Sequence, residues 1–200
     1  MKPKISKRSA SNPISAELPV WVGRQIAKWP KKLPSDSAAL MRYAVELLEV
    51  QIEKKTGGPF AALLVSNSSR QLVAVGLKRV VPLNDPTAHA ECIAIRHAAK
   101  QLKQFQFNGD YTLVTTAQMC GMCMTASLWA GVGKIIIGAT AKDTERLTGF
   151  DEGIISPNWK SQLKRRGIVV EQNILRTQVC QLLKRYVESG GLIYNGNRQS

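Results

Sequence analysis

Residues able to bind a metal or move protons stand at two short spacings in this chain: His89-x-Glu91, and later Cys120-x-x-Cys123. One imidazole and two thiolates form a ligand set suited to zinc, a borderline-soft ion that favours tetrahedral nitrogen and sulfur ligation. Cysteines three positions apart on a helix share a face, so both sulfurs can reach one ion. A helix N-terminus also favours thiolate over thiol. Three protein ligands leave a fourth position open for water, as catalytic rather than structural sites do. His89 and Glu91 lie two apart, so within a regular helix they would point in nearly opposite directions. They can serve one ion only if His89 sits at the helix cap, and Asn84-Asp85-Pro86-Thr87 is a fitting start for such a helix. Glu91 then stands beside the open position, where a carboxylate can take a proton from an activated water and deliver it elsewhere.

The elements that must position these residues are readable in outline. Asp36 or Ser37 caps a helix with apolar positions Leu40, Tyr43, Ala44, Leu47, Leu48 and Ile52, ended by Gly57-Gly58-Pro59. Phe60 to Val65 and Leu72 to Leu77 read as a hairpin, and Pro82 to Pro86 as a loop. Then come a helix from His89 to Gln101, a strand from Tyr111 to Thr115, a helix from Gly121 to Gly131 and a strand from Lys134 to Gly138. A short helix over Lys142 to Leu147, a strand over Ile168 to Val170 and a helix over Leu175 to Val187 complete the pattern. This alternation predicts an α/β fold: a three-layer α-β-α sandwich with a mixed five-stranded sheet and helices on both faces. Residues 1–36, punctuated by five prolines, read as a loose basic arm with at most a helical turn around Val20 to Lys28; residues 37–200 read as the domain.

Composition narrows the function. The chain has 200 residues, 44% apolar and 21% charged, the balance of a globular domain, with no apolar run near the roughly 18 residues of a membrane helix. Its net charge of +14 is uneven, since residues 1–34 hold eight basic residues against one acid and so carry half the excess. Four cysteines are too few for a disulfide scaffold, and no apolar leader core precedes the arm, so a cytoplasmic location is expected. Cys92 and Cys180, on apolar faces, read as small buried hydrophobes.

Histidine-x-glutamate opening one helix and Cys-x-x-Cys opening the next is the arrangement of zinc deaminases, with the glutamate as acid and base. From about Gly57 onward the chain resembles the cytidine deaminase-like superfamily, specifically its guanine deaminase and nucleoside deaminase branch. Gly57-Gly58-Pro59-Phe60-Ala61-Ala62 is similar to that family's first strand, and Asn84 to Glu91 to its zinc helix. Thr148-Gly149-Phe150-Asp151-Glu152 is similar to a segment separating the guanine branch from tRNA adenosine deaminases, and Gly190 to Asn195 to bacterial endings that can reach a partner subunit. The resemblance implies one zinc per chain on His89, Cys120 and Cys123, with Glu91 as proton shuttle and Glu152 as the acid that contacts the ring. It implies a base pocket lined by Phe60, Lys78, Ala88 and Trp129, and a homodimer. Two departures stand out. Gln118-Met119 replaces a usual Glu-Pro before the first cysteine, and Lys78 stands where the family commonly has asparagine. Lysine carries donors only and does not reproduce an amide's donor and acceptor.

The reading is therefore a zinc-dependent hydrolytic deaminase of a free amino-substituted ring, guanine first, with amino-triazines, other purines and nucleosides behind it. Two alternatives are carried. A deaminase of tRNA adenosine or single-stranded nucleic acid would make use of the positive charge. A non-catalytic zinc module, its base site filled by Lys78, would not need Glu91.

Overall fold

The structure, a computed structural model, describes residues 17–195. Its elements are α1 (Trp21–Ile26), α2 (Ser37–Glu53), β1 (Ala61–Ser66), β2 (Leu72–Leu77), α3 (Val80–Leu83), α4 (Ala90–Leu102) and β3 (Tyr111–Ala117). Then follow α5 (Gly121–Ala130), β4 (Lys134–Ala139), α6 (Ala141–Thr148), α7 (Trp159–Arg165), β5 (Val169–Glu171) and α8 (Arg176–Glu188). The five strands form one sheet in the order β2-β1-β3-β4-β5. β1 runs antiparallel to both β2 and β3, whereas β3, β4 and β5 run parallel. Parallel neighbours need crossovers, and α5 supplies the one between β3 and β4. α4 packs on β1 and β2 and meets α5 on one face of the sheet; α2 and α8 meet each other on the other. The mixed five-stranded sheet with helices in both layers is as expected.

Each layer follows from its sequence. Asp36 caps α2, its carboxylate accepting from the Ala39 amide at 2.8 Å, and Leu40, Ala44, Leu47, Leu48 and Ile52 form the buried stripe. β1 is buried along its whole length, as a central strand covered on both faces must be. Gly76 on β2 permits the close approach of α4, because a side-chain carbon there would overlap the Ala90 carbonyl. That contact presses the first turn of α4, which carries Glu91, onto the sheet.

Three expectations need correction. The boundary at residue 37 fails for the described part of the arm, since Leu18, Val22 and Leu33 are buried in the common core. The remainder of the arm, residues 1–16, lies outside the described residues. Pro82 to Pro86 is not wholly loop: Val80–Leu83 forms the turn α3, with Pro82 inside it. Helix α7 was not anticipated, because its seven residues WKSQLKR carry only Trp159 and Leu163 as an apolar signal.

The arm is pinned by charge as well as by apolar contact. Glu17 Oε2 accepts from Arg96 Nη2 at 3.0 Å and lies 2.7 Å from His97 Nε2, both on α4. Burial alone would raise the Glu17 carboxyl, but these partners hold it down at about 2. A carboxyl depressed by folding stabilises above its ordinary range, and the contribution is lost as pH falls through the folded value. Glu17→Gln is expected to cost about 1 kcal/mol at neutral pH. Urea melts of both proteins should show that gap narrowing as pH falls from about 4.5 toward 2; a gap independent of pH would contradict the assignment.

Candidate metal centre and active site

Two helix starts build the site. His89 is the N-cap of α4 and Cys120 the N-cap of α5, each with extended backbone (φ −76°, ψ 152° and φ −66°, ψ 169°). Extended backbone at His89 releases its ring from the helical screw, so His89 and Glu91 can face one place. Cys123 follows one turn into α5, fully buried. His89 Nδ1 lies 3.5 Å from Cys120 Sγ and 3.6 Å from Cys123 Sγ, and the three ligand atoms all fall within 4.8 Å of one another. Tetrahedral zinc with ordinary bond lengths separates a nitrogen and a sulfur ligand by about 3.5 Å. The donor set and its spacing therefore fit zinc, and the chain holds its zinc-binding residues ready. The hydrogen bond between the cysteines draws the Cys120 thiol down to about 4 and pushes Cys123 up.

The Glu91 carboxylate is fixed from the sheet. Thr115 Oγ1 on β3 donates to Glu91 Oε1 at 2.6 Å, both groups being buried. Met119, at the position where proline is usual, is itself buried and packs on Ser127 of α5, so the helix start keeps its anchor without the ring. Cys92, one position beyond Glu91, is half-buried rather than buried, and its Sγ lies 3.7 Å from Cys123 Sγ. Cys180 is half-buried as well, on α8.

A small cavity opens beside the triad, lined by Phe60, Lys78, His89, Ala90, Glu91, Gln118, Cys120 and Glu152. It encloses about 260 Å³ of empty space, solvent at its mouth included, below the roughly 300–1,000 Å³ of most small-molecule sites. Glu152 is almost buried, and desolvation raises its carboxyl to about 8 against the pull of Lys78. Behind Phe60 the aromatic packing continues: Phe60 meets Phe150 edge to face at 5.6 Å, and Phe150 meets Tyr194 edge to face at 5.5 Å. The C-terminal segment is tied down over its own chain: the Asp151 amide donates to Asn195 Oδ1 at 2.8 Å and Asn195 Nδ2 to the Gly149 carbonyl at 2.8 Å.

Of the residues expected at the site, His89, Glu91, Cys120, Cys123, Phe60, Lys78 and Glu152 come together. Ala88 lies fully buried behind them, its carbonyl accepting from the Arg79 amide, and Ala90 takes its place in the wall. Trp129 does not join them. It is 75% exposed on the outer face of α5, away from the cavity, because its position on the helix is neither that of Cys123 nor that of the buried Ser127 and Ala130. Sequence reading missed Thr115, Gln118 and Tyr194. Thr115 was signalled by three threonines in a strand otherwise apolar; Tyr194 lies in the Gly190 to Asn195 ending, whose resemblance pointed to a partner subunit rather than to this chain's own Lys78.

Residues 34–139 match the cytidine and deoxycytidylate deaminase zinc-binding region. The chain is 36% identical over 115 residues to the guanine deaminase of Bacillus subtilis (strain 168), covering 58% of this chain and 71% of that protein. It is 35% identical over 101 residues to a tRNA-specific adenosine deaminase of Haemophilus influenzae, covering 50% of this chain and 57% of that one. Its backbone is similar to the crystal structure of NE0047 in complex with 2,6-diaminopurine, with a TM-score of 0.80 and 36% identity over 90% of this chain and 96% of that chain. With the ligand triad, the buried glutamate and the five-stranded sheet in place, the chain belongs to the cytidine and deoxycytidylate deaminase family of zinc-dependent hydrolases, in its guanine deaminase branch.

Proposed function

We propose that this chain converts guanine and water to xanthine and ammonia. The observation that carries the reading is one cavity holding the ligand triad, Glu91 and Glu152 together. Zinc, when bound, supplies the Lewis acidity that activates water at neutral pH. Glu91, oriented by Thr115, takes a proton from that water, delivers it to the ring nitrogen beside the amino-bearing carbon, and serves the departing ammonia in the same way. Glu152, its carboxyl raised by burial against the pull of Lys78, lines the same cavity and can exchange a proton or hydrogen bond with the ring. Phe60 in the cavity wall, with Phe150 packed edge-on against it, adds apolar surface that helps keep bulk water out.

The nucleic-acid alternative draws on the net charge of +14 and on the likeness to a tRNA-specific adenosine deaminase. The free-base reading is favoured because the cavity encloses only about 260 Å³ of empty space, better suited to one flat ring than to a nucleotide. With zinc-loaded protein, ammonia release from guanine is expected, falling at least about 10³-fold in Glu91→Gln. Release from a tRNA anticodon stem alone, with none from guanine, would reverse the choice.

We also propose a homodimer in the cytoplasm. Met122 and Trp129, seven residues apart on α5, share an exposed face, and Ile154 lies over the start of the same helix, so this side carries exposed apolar surface that a second copy would cover. The free cysteines support a reducing compartment, and among the described residues no helix is long and apolar enough to cross a membrane. Light scattering is expected to give a dimer mass that Trp129→Glu halves; an unchanged mass in the variant would place the interface elsewhere.

A further inference from the structure

Lys78 is the residue of this pocket whose chemistry the deamination step leaves unused. Its backbone is fixed from both sides: its amide donates to the Phe60 carbonyl at 3.0 Å, and its carbonyl accepts from the Gly58 amide at 3.0 Å and from Gln51 Nε2 at 3.4 Å. Gln51 is a polar residue on the buried face of α2, placed there to hold this turn. The aliphatic stem of Lys78 runs along Gly58, where a side-chain carbon would sit only 3.0–3.2 Å from Lys78 Cδ and Cγ. Stem and backbone together aim the ammonium at the cavity.

There the ammonium is held by aromatic faces. Nζ lies 4.1 Å from the ring centre of Phe150, 4.7 Å from that of Phe60 and 5.1 Å from that of Tyr194. Cation–π contacts of this kind favour the charged form and fix its position, yet they consume none of its N–H donors as hydrogen bonds. Among the described residues Nζ makes no hydrogen bond and no ion pair within 4.0 Å, although the residue is only 7% exposed. Burial lowers the lysine's pKa, with Glu152 and then Glu91 as the leading counter-charges. Lys78 shares the cavity lining with Phe60 and Glu152 as well as with His89, Glu91 and Cys120, so a ring that enters meets the ammonium. A cation whose donors no protein group takes sets a condition on a ring that displaces its solvent, because that ring must bring lone pairs to it.

We propose that Lys78 makes this pocket select rings whose edge beside the ammonium carries hydrogen-bond acceptors only, an oxo oxygen next to a ring nitrogen, and reject rings with an amino group there. The inference rests on the guanine reading and sharpens it. Guanine presents O6 and N7, both acceptors, along one edge, whereas 2,6-diaminopurine puts an amino donor where O6 stands. An asparagine at this position could turn its amide to suit either ring; a lysine cannot.

The test is equilibrium dialysis of guanine and 2,6-diaminopurine against full-length, zinc-loaded Glu91→Gln protein, which binds without turnover. Guanine is expected to bind roughly 10- to 100-fold more tightly. Adding Lys78→Asn should bring the two affinities close together. If that variant fails to fold, Lys78→Met keeps the stem and removes the donors, and the preference should likewise disappear. Equal affinities in the Lys78 protein, or a preference that survives either folded variant, would overturn the proposal. If neither purine binds, the guanine reading falls. Isocytosine against 2,4-diaminopyrimidine, the same oxo and amino contrast on a smaller ring, then decides the lysine's role alone: preference for the oxo ring supports it, and equal binding or none overturns it.

Discussion

Two helix starts meeting at one point is the constraint on which the rest of this molecule depends. His89 and Cys120 are both capping residues, and a cap is where a side chain can leave the helical screw while its neighbours remain on it. That freedom lets a histidine and a glutamate two residues apart address one ion. It also requires α4 and α5 to end their approach within a few tenths of an ångström of a fixed geometry. Much of the fold serves that purpose. Gly76 lets α4 sit down on β2, Thr115 reaches from β3 to hold Glu91, and the β3–α5–β4 crossover brings the cysteines round to the histidine.

The electrostatics follow from the same convergence. Bringing two thiols, two carboxyls and an ammonium close together in and beside one small cavity makes every charge there depend on the others. Desolvation pushes Glu152 toward its neutral form and Lys78 toward its own, while each favours the charged form of the other. The aromatic cage of Phe60, Phe150 and Tyr194 stabilises a cation without offering it an acceptor.

Much of this arrangement was legible in the sequence because its determinants are local. Helix periodicity and the Asp36 cap give α2, the alternation of elements gives the sheet, and the spacings of His89, Glu91, Cys120 and Cys123 give the triad. What was not legible acts at a distance. Glu17 fixes the arm through residues 79 and 80 positions away on α4, and Tyr194 joins Phe60 around the Lys78 ammonium. Prolines suggested a loose arm, but burial of Leu18, Val22 and Leu33 outweighs them. Trp129 failed for a related reason: a large aromatic near a catalytic helix reads as pocket or core, and only the helix rotation reveals that it faces solvent.

The central claim is that His89, Cys120 and Cys123 together hold one tetrahedral metal ion, and cobalt substitution tests it most directly. Stripped full-length protein titrated with Co²⁺ is expected to saturate at one equivalent per chain, with the intense visible bands of a tetrahedral ion and thiolate-to-cobalt charge transfer. Cys120→Ser should weaken the charge-transfer band and lower the affinity. A weak, six-coordinate spectrum without thiolate bands, or one that Cys120→Ser leaves unchanged, would contradict the account.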